Sequence, residues 1–142
     1  MDLSHGQVQL IKSTWVIFRN IDPATVGDVF YGKLFLENPS IRRMFPKHMD
    51  EQYKKLMDML SVIVGRLDNP DDLMDDIAAM ARRHVHYGVK PEHYLPVGKA
   101  LLWTLQQGLG KDWNEAAREA WTKWYTIISD TMIASASGER VG

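Results

Sequence analysis

The segment LMDDIAAMARRHVHYGVKPEHYLPVGKALLWTL, residues 73–105, contains two amphipathic stretches separated by a short break. Leu73, Ile77, Met80 and His84 recur at spacings of three and four, which places them on one face of an α-helix. Gly88 supplies the stop, because glycine accepts the left-handed backbone on which helices commonly end. Pro91 sits early in the next helix, where its missing N–H costs nothing, and Tyr94, Val97, Leu101 and Leu105 form that helix's apolar face. No part of the segment alternates with the period of two expected of a half-buried strand. His84 and His86 are two residues apart, on nearly opposite sides of their helix. His84 shares the apolar stripe, whereas His86 groups with Arg82 and Arg83. On this helix alone His84 reads as a core histidine bonded to a carbonyl, since most helical histidines bind no metal.

The same punctuation extends outward in both directions. Ser4 with Gln7 makes a capping box ahead of Val8, Ile11, Trp15 and Phe18. Asp22-Pro23 opens a second helix with Val26, Phe30 and Leu34 on one face, and Asn38-Pro39 repeats that signal for a brief turn ending at Phe45-Pro46. A long helix follows with Leu56, Leu60, Ile63 and Leu67, closed by Asp68-Asn69-Pro70. Beyond the stop at Gly110, Asp112 and Glu115 form an acidic capping pair. The last helix carries Ala117, Trp121, Trp124, Ile128 and Met132. Residues 135–142 are small and polar and read as a frayed tail. The pattern predicts one all-α domain, 1–142, of six longer helices and one or two short ones.

Composition narrows the chemistry. Lys and Arg number 17 against 18 Asp and Glu, which does not suggest a dominant nucleic-acid partner, because phosphate binding needs a concentrated basic surface. The absence of cysteine excludes disulfides, thiolate metal sites, iron–sulfur clusters and cysteine nucleophiles. The N-terminus lacks a signal-peptide pattern, and no apolar run approaches the roughly 20 residues that span a bilayer, so neither membrane nor export is expected and the cytoplasm is the default location. The five histidines form no zinc pattern, and no nucleophile elbow, phosphate loop or motif-spaced acid pair occurs.

Several spacings taken together point further. FYGKLFLENPSIRRMF, residues 30–45, resembles the second and third helices of globins, with Pro39 opening the short helix and Phe45 six residues later. RRHVHYGVKPEHYLPVGKALL, residues 82–102, resembles the proximal region of bacterial haemoglobins and of flavohaemoglobin globin domains, and AWTKWY, residues 120–125, is similar to their last helix. The resemblance implies a globin fold, six to eight helices around a haem pocket, with haem b as cofactor.

It also implies roles. His84 matches the proximal ligand to the iron. Tyr31 and Gln52 match the distal positions, Leu56 follows Gln52 by one turn, and Phe45 packs on the porphyrin. Lys55 suits a propionate, as do Arg82 and Arg83, although solvated charge also accounts for the arginines. Tyr31 is also compatible with an ordinary core position, and Gln52 with a solvated helix face. Two donors beside a diatomic ligand that takes up negative charge stabilise it, each by roughly 1.5–3 kcal/mol against about 0.5–1.5 for a neutral hydrogen bond. Tyr94 matches a proximal tyrosine of flavohaemoglobins, but Ala136 stands where they place a glutamate, which implies a more neutral His84. His48 and, less well, Lys55 are candidates for the sixth iron position; His5 and His93 read as surface residues. The implied function is reversible binding of dioxygen, NO and CO at five-coordinate iron, for storage or transport. The alternatives are an NO dioxygenase served by a separate reductase, a haem-based gas sensor, or a haem-free helical interaction module.

Overall fold

The computed structural model describes residues 3–141, with side chains through Ala136. Six α-helices form the domain: α1 (His5–Phe18), α2 (Pro23–Glu37), α3 (Asp50–Gly65), α4 (Pro70–His86), α5 (Tyr94–Leu109) and α6 (Glu115–Val141). Three short 3₁₀ helices, Pro39–Met44, Pro91–His93 and Gly110–Asp112, join them, and no strand occurs among the described residues. The bounds of α6 take in most of the stretch read from sequence as a polar tail. Gly142 and the side chains from residue 137 onward lie outside the described residues.

Local chemistry accounts for most boundaries. The Ser4 side chain accepts from the Gln7 N–H while the Gln7 side chain accepts from the Ser4 N–H, each at 3.0 Å, closing both orphan donors at the start of α1. Asp22 caps α2 through the Ala24 N–H at 3.3 Å. Gly88 and Gly110 hold φ of +88° and +52° after α4 and α5, values at which a Cβ would be strained. Three boundaries differ from the sequence reading. The Asn38 amide donates back to the Leu34 carbonyl at 3.1 Å and so finishes α2 instead of capping the turn that follows. Pro91 starts a 3₁₀ turn, and α5 proper begins at Tyr94. Asn114 caps α6 through the Ala117 N–H at 2.8 Å, because Asp112 is already taken up in the preceding 3₁₀ turn; Glu115 pairs instead with Arg118 at 2.6 Å.

The most extensive helix pairings are α4 with α6, α2 with α3 and α5, and α1 with α6. Trp121, Phe18, Ile11, Leu73, Ile77 and Leu105 are fully buried where these helices meet. The indole of Trp121 donates to the Thr14 hydroxyl at 2.9 Å, joining α6 to α1 inside the apolar core. Gly27 is where α2 meets α3. A Cβ there would lie 2.3 Å from the Tyr53 ring, so only glycine permits the approach that carries Tyr31 toward α3. Arg66 then reaches Asp72 at 3.3 Å and Asp76 at 2.7 Å across the α3–α4 turn, setting where α4 starts.

Candidate functional site

The core is not filled throughout. A cavity of about 880 Å³ opens between α2, α3, α4, α5 and α6, lined mainly by apolar side chains. Its volume lies within the roughly 300–1,000 Å³ typical of small-molecule and cofactor sites. Tyr31, Phe45, Gln52, Lys55, Leu56, His84 and Tyr94, seven positions scattered over the sequence, all line it.

On one wall His84 projects from the last turn of α4. Its Nδ1 lies 2.7 Å from the Met80 carbonyl, four residues back on the same helix. A carbonyl only accepts, so Nδ1 carries the proton and donates. Burial lowers the His84 pKa, outweighing the opposite pull of that hydrogen bond, so the ring is neutral at pH 7. Nε2, on the far side of the ring from its own helix, therefore carries the lone pair. His93 also lines the cavity and is half-buried, which corrects its reading as a surface residue. Its Nδ1 accepts the Lys90 N–H at 2.9 Å, so its neutral ring holds the proton on Nε2. The two imidazoles thus have opposite tautomers, and only that of His84 offers a metal ligand at Nε2.

A second wall is built by α2 and α3. Gln52 Nε2 donates to the Tyr31 phenolic oxygen at 3.2 Å. One amide proton of Gln52 is thus engaged by the oxygen of Tyr31, and both side chains line the cavity. Burial pushes the Tyr31 pKa up to about 12, so the phenol keeps its proton at physiological pH. Its ring meets Phe30 at 4.7 Å and Phe45 at 5.4 Å, both edge-on, and stacks on Tyr53 at 5.7 Å. Tyr53 in turn donates to Asp28 at 2.8 Å.

Some contributors are not visible in the sequence. Arg42 donates to the carbonyls of Phe45 (3.1 Å), Pro46 (2.9 Å) and Lys47 (3.3 Å), fastening the loop that presents Phe45. The Tyr125 hydroxyl donates to the Tyr94 carbonyl at 2.6 Å and ties α6 to the start of α5. Trp124 shares a helical face with Trp121 and Ile128 and so reads as core, yet it lines the cavity. Lys55 and Arg83 are exposed residues that also line it and therefore sit at its mouth; Arg82 is not among the lining residues. His48 lies in a neighbouring cleft of about 400 Å³ on the other side of Tyr31, and is not brought into the main cavity. Ala136 lies half-buried on α6 and is not among the residues that line the cavity. Among the described residues no cluster of His, Asp and Glu is placed to hold a bare metal ion, and no helix is long and apolar enough to cross a membrane.

Comparison with known proteins agrees with this architecture. The family model described as Globin matches residues 28–132. The chain is 28% identical over 139 residues to the flavohemoprotein of Chromobacterium violaceum, covering 96% of this chain and 34% of that protein. It therefore spans about a third of the length of the flavohemoproteins it matches. It is 30% identical over 131 residues to an uncharacterized globin-like protein of Aquifex aeolicus, covering 92% of each. Among solved structures, a bacterial globin from Campylobacter jejuni superposes with a TM-score of 0.83 at 25% identity, covering 98% of this chain and 100% of that one. Helix order, central cavity and family match lead to one conclusion: the chain belongs to the globin family.

Proposed function

We propose that the cavity binds an iron protoporphyrin, haem b, through His84 Nε2, and that the protein reversibly binds dioxygen and related diatomic gases against Tyr31. The residues present fit such a group. The walls are apolar, the cavity is large enough for a cofactor, one neutral imidazole offers its Nε2 lone pair, and Lys55 and Arg83 at the mouth suit carboxylate side groups. The observation that carries the reading is the Nδ1 bond from His84 to Met80, which supports a proton-free Nε2 in the same cavity that Tyr31 and Gln52 line.

When bound, the iron porphyrin supplies a site for a diatomic ligand that gains negative charge. The chain's residues do the rest. The Tyr31 O–H donates to that charge, and Gln52 holds the phenol by donating to its oxygen. Phe45, fixed by Arg42, closes one side of the cavity. The acceptor for His84 is a neutral carbonyl, which supports a neutral proximal imidazole and with it carriage of ligand over cleavage of an O–O bond. His48 lies in the other cleft and the Nδ1 of His93 is engaged by the Lys90 N–H, so His84 would be the one histidine of the three to hold the iron, which supports a five-coordinate site.

Absorption spectra of the ferric, ferrous and CO-bound forms after haem reconstitution test the reading. A Soret band with a five-coordinate ferrous spectrum is expected; a protein that retains no haem would leave only a haem-free interaction module. A second reading, NO dioxygenation with electrons from a separate reductase, draws support from the similarity to flavohemoproteins. Sustained NO consumption with NADH and a cellular reductase would favour it, whereas a single turnover per haem favours the carrier. Ligand-dependent association with another protein would point to a gas sensor.

A further inference from the structure

Three tryptophans form a chain of ring contacts that starts at the cavity and leads away from it. Trp124 lines the cavity and is 2% exposed, and its indole Nε1–H has no hydrogen-bond partner among the described residues. Its ring meets that of Trp121 edge-on at 5.0 Å between centroids, and Trp121 meets Trp15 at 6.4 Å. Trp121 is 1% exposed and belongs to α6, whereas Trp15 is 4% exposed on α1. Val16 and Ile17 on the same helix stand 47% and 44% exposed, so α1 has one side on solvent and Trp15 lies on its inner side, one helix thickness from it. Packing alone requires apolar bulk at these positions but does not require three indoles in succession.

We propose that Trp124, Trp121 and Trp15 are a relay that drains oxidising equivalents from the cavity toward the α1 surface, protecting the cofactor site when a hydroperoxide reacts there. Indole is, with phenol, the side chain most readily oxidised by one electron. Tunnelling falls exponentially with distance, so short hops between touching rings outrun one long jump. The two N–H groups favour onward transfer. That of Trp124 meets no acceptor among the described residues, and that of Trp121 donates to the Thr14 hydroxyl at 2.9 Å, itself engaged with the Leu10 carbonyl at 2.8 Å. Neither indole cation is trapped by losing its proton, so the charge moves on. Cavity tyrosines are poorer drains: oxidising a phenol requires its proton to leave, and Tyr125 donates to a backbone carbonyl that cannot accept one.

The step balances. Reducing one hydrogen peroxide to two waters takes two electrons and two protons. Each electron leaves Trp124, which is refilled from Trp121 and that in turn from Trp15. Two molecules of an external one-electron reductant of the ascorbate class restore Trp15 in two passes, each losing an electron and a proton. The relay suits strong oxidants only, because indole is too hard to oxidise to carry low-potential electrons inward from a reductase.

The proposal rests on the haem-binding reading, and the test separates the two. Haem-loaded protein, verified by its Soret band, is treated with hydrogen peroxide and its tryptophan oxidation products are mapped by peptide mass spectrometry. Trp103 and Trp113 are more exposed than Trp15 and line no part of the cavity, so they report attack from bulk solvent. The relay predicts oxidation at Trp15 ahead of Trp103 and Trp113. In Trp121→Phe, Trp15 oxidation is expected to fall severalfold, with damage shifting to Trp124 and faster bleaching of the Soret band. Should that variant fail to fold, Trp15→Phe is expected to move the product to Trp121 and to slow radical decay by ascorbate severalfold, read by electron paramagnetic resonance. Attack first on Trp103 and Trp113, or equal Trp15 oxidation with and without Trp121, overturns the relay and leaves haem binding standing. Absence of the Soret band overturns both.

Discussion

The two walls of the cavity are held by different kinds of interaction. On the α4 wall, His84 is oriented by a carbonyl of its own helix, four residues away. On the α2–α3 wall, Tyr31 is oriented by Gln52, 21 residues away on another helix, through a crossing that depends on Gly27 and on the loop fastened by Arg42. One wall is set by helix geometry and forms whenever α4 forms. The other exists only when two helices and a loop have docked. The local wall should therefore tolerate distant change and fail only through His84 itself, whereas the distal wall should be tunable in steps.

The largest effect should come from the local wall. His84→Ala is expected to abolish stable haem retention, measured as haem per protein after desalting, because His93 has the wrong tautomer at Nε2 and His48 lies in the other cleft. Full retention with an unchanged ferrous spectrum would show that His84 is not the ligand and that the α4 wall does not hold the iron.

Tyr31→Phe comes next. Removing a donor to a charged acceptor costs roughly 1.5–3 kcal/mol, so the dioxygen off-rate should rise about tenfold or more in stopped-flow displacement by CO. An unchanged off-rate would mean that the phenol does not face the ligand.

The buried phenol also makes the distal wall sensitive to alkali. The Tyr31 pKa is about 12 in the fold against an ordinary 10.0, so its neutral form is favoured by folding. That contribution is complete below about pH 10 and is lost as pH rises through the folded value. At 1.36 kcal/mol per unit it amounts to about 2–3 kcal/mol. Urea denaturation should show the wild type losing more stability than Tyr31→Phe between about pH 10 and 12. Parallel loss in both proteins would place the alkaline sensitivity elsewhere, with Tyr125, whose pKa burial also raises, the first candidate.

The smallest effect should be that of Gln52→Ala. Gln52 acts on the ligand through Tyr31, and a neutral hydrogen bond contributes about 0.5–1.5 kcal/mol, so the off-rate should rise roughly 2- to 10-fold. In the Tyr31→Phe background the same change should add almost nothing. Full additivity would mean that Gln52 touches the ligand directly and that the wall has two independent donors.

Features that depend on near neighbours along the chain are legible from residue type and spacing. The Ser4–Gln7 box, the Asp22 cap, the helix-stopping Gly88 and Gly110, and the inward face of His84 are all settled within a turn or two of helix, where residue type and spacing fix the geometry. Its likeness to globins carried the cavity residues from Tyr31 to Tyr94 as a set. How those residues are arranged follows from helix docking: Gln52 donates to Tyr31, His93 lines the cavity with the opposite tautomer, His48 falls in a separate cleft, and Trp124 lines a cavity instead of filling a core. These depend on where one helix meets another. A periodic pattern tells which side of a helix is buried, but a packed wall and the wall of a hollow are both apolar, and only the docked neighbours distinguish them.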